Sequence, residues 1–216
     1  MTAWAALFDW DGVIIDSAAS HERSWERLAE ENDLPLPEDH FLRGFGMRNE
    51  VIIPELLEWT EDPEQIRTLS LRKEALYREV IREEGIRPLP GVRAYLESLK
   101  AAEISCMVAT STHRANVDVI LDALNFREFF LDIVSSEDVR RGKPDPEIFL
   151  TAARRAEQVP GACVVFEDAH HGIQAAKAAG MSAVGVLTTH PGGKLAGADI
   201  LVDRLDSLPL DGSRPV

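Results

Sequence analysis

Cysteine is nearly missing from this chain, with only Cys106 and Cys163 among 216 residues. Each sits inside a short apolar run, so the expectation is two buried thiols rather than a disulfide or a metal pair. That usage suits a reducing, cytoplasmic setting. Positive charge is also short, with 23 Lys and Arg against 37 Asp and Glu and a net charge of −14. Such a balance excludes a general nucleic-acid binder, which needs a basic face to displace phosphate counterions, but leaves room for a local basic pocket. No apolar run approaches the ~20 residues of a membrane-spanning helix. The N-terminal stretch has no basic segment, and Asp9 and Asp11 interrupt its apolar run, so no secretory signal is expected. Repeats and low-complexity tracts are absent too.

What is present is the composition of a globular protein, 45% hydrophobic and 28% charged. Short, almost continuously apolar runs occur at 3–8, 104–109, 132–135, 162–166, 182–187 and 200–202. Unbroken apolarity suits parallel strands covered on both faces. Helical patterns at 92–101, 114–124, 146–157 and 172–179 alternate with those runs. The expected fold is therefore α/β, a doubly wound parallel sheet. Between residues 17 and 86 the rhythm breaks and only helical patterns appear, at 21–32, 49–59 and 63–84. Asp62-Pro63 reads as a cap with proline in the first turn, and Gly85 as a stop. The expected organisation is a core of 1–16 and 87–216 interrupted by an α-helical cap domain at 17–86, read as a lid.

The densest signal is Asp9-Trp10-Asp11-Gly12, directly after the first apolar run. Two carboxylates at the end of a parallel strand fall where α/β proteins bind ligands. Their repulsion invites a divalent cation, and oxygen donors suit Mg²⁺. A calcium loop is excluded, because Ser20 stands where that pattern needs a glutamate; a plain Asp-Gly turn accounts for this segment alone. Glu167-Asp168 forms a second acidic pair at a second strand end, as a metal cradle with Asp9 or as a helix cap. His170-His171 are neighbours that cannot face one another on a helix, and are read as exposed or loop residues. Asp145 and Pro146 mark a helix start, and Lys143 just before them is either a surface lysine or a cation for a phosphoryl group. Thr110, Ser111 and Thr112 end a strand, as cap residues or as donors to phosphoryl oxygens.

Taken in order, these four pieces closely resemble the haloacid dehalogenase superfamily of phosphohydrolases, and within it the β-phosphoglucomutase-like phosphatases with a helical cap. Asp9 to Ser17 resembles the first motif, Thr110 the second, Lys143 the third, and Phe166-Glu167-Asp168 with Gly172-Ile173 the fourth. Ala169 departs from the pattern, since those relatives usually carry Ser there. The resemblance implies an Mg²⁺-dependent phosphatase acting on a small phosphorylated metabolite, with a sugar phosphate as the expected substrate. It implies Asp9 as nucleophile, Asp11 as general acid/base, and Thr110 and Lys143 as catalytic partners. The implied metal ligands are Asp9, Asp168, Asp11 through its main-chain carbonyl, and Glu167. Substrate contacts are expected from Ser111 and, in the cap, from His21, Arg48 and Lys73, all three resembling cap positions of a phosphosugar mutase, the alternative activity. A monomer with no nucleic-acid or membrane partner is expected.

Overall fold

The computed structural model describes residues 4–44, 47–189 and 195–216. Six strands form one sheet: β1 Ala5–Phe8, β2 Ser105–Ala109, β3 Asp132–Val134, β4 Cys163–Glu167, β5 Ser182–Val186 and β6 Ile200–Val202. Their order is β3-β2-β1-β4-β5-β6, and every pairing is parallel. β1 is central, with Ala5 and Ala6 beside Ser105 and Cys106 on one flank and beside Cys163 and Val164 on the other. All four of its residues are buried, as expected of a strand covered on both faces.

The period-2 alternation divides the core. On one face Ala5, Leu7, Met107, Cys163 and Val165 pack with Ile148 and Phe149 of α7 (Glu147–Arg155) and Ile173 and Ala176 of α8 (His170–Ala178). On the other, Phe8 and Phe166 stack at 4.5 Å and meet Tyr95 of α5 (Val92–Ala101) edge-on. Helix α6, Arg114–Leu124, follows β2. Cys106 and Cys163 are buried free thiols whose strand partners, Ala6 and Ala5, face opposite ways, so the sheet separates them.

The chain divides into two compact units, Met1–Asp16 with Ile86–Val216, and Ser17–Gly85. The second unit holds α1 (Ala18–Asn32), α2 (His40–Gly44), α3 (Asn49–Val51) and α4 (Pro63–Glu84). Its core is Trp25, Leu28, Ile52, Ile53, Leu57 and Leu76. The Asp62 carboxylate caps α4, accepting from the Glu64 N–H at 2.8 Å, and Gly85 at φ +79° ends it.

Two expectations are corrected. The helix expected over 49–59 stops at Val51 and continues as a π-turn over Ile52–Leu56. Pro54 has no N–H to continue an α-ladder, and the Leu57 N–H instead reaches the Ile52 carbonyl at 2.9 Å. Helix α8 starts at His170, not Gly172, so both histidines are helical rather than loop residues; His171 is exposed. The short α2 was not foreseen. The expected start of the first strand, Ala3, lies outside the described residues, as do Phe45 and Gly46 between Arg43 and Arg48.

Candidate active site

Parallel pairing aligns the C-terminal ends of β1 and β4, so that Phe8 pairs with Phe166 and the Asp9 N–H donates to the Phe166 carbonyl at 2.9 Å. The residues that follow each strand therefore meet at one edge of the sheet. Carboxylate oxygens of Asp9, Glu167 and Asp168 lie within 4.8 Å of one another. Into this group reaches Lys143, whose Nζ donates to Asp9 Oδ1 at 2.8 Å and to Glu167 Oε1 at 2.7 Å. The lysine side chain is only 9% exposed, which removes it from the ordinary class of surface lysines.

Local contacts hold each member. Beyond Asp9 the chain folds back, with the Gly12 N–H donating to the Ile15 carbonyl and the Ile14 N–H to that of Trp10, both at 2.9 Å. Gly12 has φ +75°, and a β-carbon there would lie 1.9 Å from Asp168 Oδ2, so only glycine fits. The Lys143 loop is tied down by Glu147, whose carboxylate accepts the Arg140 and Arg141 N–H groups at 3.3 and 3.0 Å. Asp145 accepts the Glu147 N–H at 3.0 Å and so caps the first turn of α7. The Ala169 N–H donates to Glu167 Oε2 at 2.7 Å.

Electrostatics follow from crowding. Burial pushes the Asp9 carboxyl up to about 7, against the pull of Lys143 and helped by Glu167 and Asp11. Burial, then Glu167 and Asp9, pushes Asp168 up to about 8. Burial alone would lower the Lys143 ammonium, but Asp9 and Glu167 override it and hold it above the usual lysine range. Fully ionised, three carboxylates against one ammonium leave two negative charges. That surplus and an all-oxygen donor set fit a divalent hard cation such as Mg²⁺.

The remaining expected residues occupy defined places. The Asp11 carboxylate lies outside the three-residue group and accepts a hydrogen bond from the Thr112 hydroxyl at 2.5 Å. Thr110 is buried at the end of β2, its hydroxyl accepting the Thr112 N–H at 3.1 Å, while Ser111 is exposed. Within the helical unit Lys73 is 3% exposed. Its Nζ lies 2.8 Å from His21 Nδ1 and 3.3 Å from Glu74 Oε1, between the rings of Trp25 and Tyr77. Arg48 is exposed at the start of α3. Thr112, expected as a cap or a phosphoryl donor, instead donates to Asp11, and the sequence does not single out Thr188 and Thr189. The Thr188 hydroxyl donates to the Gly12 carbonyl and that of Thr189 to Asp168 Oδ2. Their position just past β5 was the available signal, since strand ends gather at the site.

A family model described as haloacid dehalogenase-like hydrolase matches residues 6–186. The 5-amino-6-(5-phospho-D-ribitylamino)uracil phosphatase, chloroplastic, of Arabidopsis thaliana is 36% identical over 208 residues, 95% of this chain. The chain spans 55% of the length of that relative. Beta-phosphoglucomutase of Bacillus subtilis is also 36% identical, over 217 residues that cover 96% of this chain and 92% of that protein. The crystal structure of a CbbY variant from Rhodobacter sphaeroides, in complex with xylulose-(1,5)bisphosphate, superposes with a TM-score of 0.85 at 26% identity and covers 96% of both chains. Because the matched span takes in Asp9, Asp11, Lys143, Glu167 and Asp168 together with five of the six strands, the chain belongs to the haloacid dehalogenase-like hydrolases.

Proposed function

We propose that the chain hydrolyses the phosphate ester of a small phosphorylated metabolite, a sugar phosphate, through an aspartyl phosphate on Asp9. The observation that carries this reading is the Asp9, Lys143, Glu167 and Asp168 cluster at the ends of β1 and β4. In the first step a carboxylate oxygen of Asp9 attacks phosphorus as the bond to the ester oxygen breaks, and Asp11 gives that oxygen its proton. In the second, water attacks the phosphoryl group, Asp11 takes the water's proton, and Asp9 leaves as a carboxylate with free phosphate released. Thr112 orients the Asp11 carboxylate for both transfers. The Thr110 oxygen already accepts the Thr112 N–H, so its proton serves a phosphoryl oxygen, and Lys143 offsets charge on the same group. Asp9, Glu167 and Asp168, with the Asp11 main-chain carbonyl, would hold Mg²⁺, which when bound offsets the charge between the carboxylates and a phosphate dianion.

The core grips only a phosphoryl group, and the helical unit Ser17–Gly85 is proposed as the source of selectivity for the rest of the substrate. The test is phosphate release from a panel of sugar phosphates and other small phosphate esters, with and without Mg²⁺. Release from several of them that ceases on chelation supports the reading; full activity in excess chelator overturns the metal requirement. The 36% identity to beta-phosphoglucomutase favours one second reading, transfer of the phosphoryl group to another hydroxyl of the same sugar. A coupled assay separates the two: isomerisation far faster than phosphate release identifies a mutase.

A further inference from the structure

We infer that Thr189 is a positioning residue for the divalent-cation site, acting through the Asp168 carboxylate; this rests on the metal reading above. Asp168 directly follows Glu167, the last residue of β4, and consecutive strand residues point to opposite faces. Bringing both carboxylates into one group with Asp9 therefore needs a separate tether for each. Glu167 has two, the Lys143 ammonium at 2.7 Å and the Ala169 N–H at 2.7 Å. Asp9 shares the same ammonium at 2.8 Å. Asp168 is repelled by Glu167 and Asp9, feels a smaller attraction from Lys143, and accepts the Thr189 hydroxyl at Oδ2, its side-chain hydrogen bond.

The site around that contact is tight. A β-carbon on Gly12 would lie 1.9 Å from Asp168 Oδ2 and 3.0 Å from Thr189 Oγ1, so the three residues converge on one point. The adjacent Thr188 hydroxyl donates to the Gly12 carbonyl, fastening the segment after β5 to the loop after β1. The chemistry of the tether matters. A second ammonium here would cancel a negative charge that the cation needs, whereas a neutral hydroxyl orients the carboxylate and leaves its charge intact. With its proton given to Oδ2, Thr189 leaves Oδ1 of Asp168 to the metal. Outer contacts of this kind commonly change metal affinity by about 10–100-fold.

The test is Mg²⁺ binding to the full chain by isothermal titration calorimetry, repeated with Mn²⁺ by electron paramagnetic resonance. Thr189→Val keeps the shape and removes the donor, and is expected to weaken Mg²⁺ binding by about 10-fold or more. Thr189→Ser restores the hydroxyl and is expected to bind within about 3-fold of the parent, a recovery within the roughly 10-fold loss. Far-ultraviolet circular dichroism in excess chelator should match the parent in both, so that a change in affinity is read on a folded chain. Parent-like affinity in Thr189→Val overturns the proposal, as does Thr189→Ser binding as weakly as Thr189→Val. If Thr189→Val does not fold, the Ser variant and Thr189→Ala carry the comparison alone, with the same expected order. A parent protein that takes up no Mg²⁺ in either titration overturns the metal reading itself and is told apart by that control.

Discussion

Gly172 lies against Glu167 so closely that a β-carbon at residue 172 would stand 1.7 Å from Oε1. Gly172 is inside α8, where alanine is the better helix former by about 1 kcal/mol. Gly172→Ala therefore separates helix stability from site geometry. The substituted methyl must push Glu167 off Lys143 Nζ, and a displacement near 1 Å costs roughly 10²-fold in turnover. Steady-state phosphate release is expected to fall by about that factor while far-ultraviolet circular dichroism is unchanged. Normal turnover would show that the site tolerates displacement of the Glu167 carboxylate.

Asp9→Asn removes the attacking carboxylate and is expected to abolish turnover without loss of fold, verified by intact mass to exclude deamidated protein. Asp11→Asn leaves the nucleophile in place but no proton carrier, for an expected loss of about 10²–10⁴-fold. Rapid-quench kinetics should show both steps slowed in the second variant. Substantial turnover by Asp9→Asn would move the nucleophile elsewhere.

The raised carboxyls give a pH dependence whose sign can be worked out. With Asp9 at about 7 and Asp168 at about 8, the metal-free folded chain holds protons that the unfolded chain has released near pH 4. Their contribution to stability is complete at low pH and is lost as pH rises through these values. Mg²⁺ needs the deprotonated forms, so its stabilising effect should be larger at about pH 8.5 than at about pH 6. Thermal melts with chelator or with excess Mg²⁺ at the two pH values measure this directly. An equal Mg²⁺ effect at both would contradict it.

Lys73 is held between Trp25, Tyr77, His21 and Glu74, with Glu74 also accepting from Asn49 Nδ2 at 2.7 Å. Lys73→Ala takes the cation from a buried carboxylate that keeps its Asn49 hydrogen bond, at a cost of about 3 kcal/mol. Chemical denaturation should register that loss, and Lys73→Ala,Glu74→Ala should recover part of it. A single variant as stable as the parent, but poor in substrate binding, would instead mark Lys73 as a substrate contact.

Much of the core could be read in advance because its physics is local. Helices α4, α5 and α6 have the bounds expected from their apolar spacing and from stop signals such as Gly85. The strands were legible because burial on both faces leaves continuous apolar runs, as at 162–166, one residue ahead of the strand Cys163–Glu167. Residues 52–56 were not, since a proline inside a helical pattern permits a kink, a break or a π-turn, and packing of Ile52 and Ile53 selects among them. In the site, the acidic pairs stood out as costly groups needing compensation. Thr188 and Thr189 carry no such cost, and the β4–β5 pairing carries them to the site, where Thr188 meets Gly12 and Thr189 meets Asp168.

The two thiols on opposite sides of the sheet turn the protein into its own reporter of opening. Burial pushes Cys106 up to about 12 and Cys163 up to about 11, the latter despite a small opposing pull from Arg214. Neither reacts as thiolate while the helices over its face of the sheet stay docked, α7 and α8 over Cys163 and, on the other face, α5, whose Tyr95 lies near Cys106. Alkylation of Cys106 would time the uncovering of the α5 face, and that of Cys163 the uncovering of the face beneath α7 and α8. Equal rates would mean that the layers open as one cooperative unit; unequal rates would reveal which face yields first.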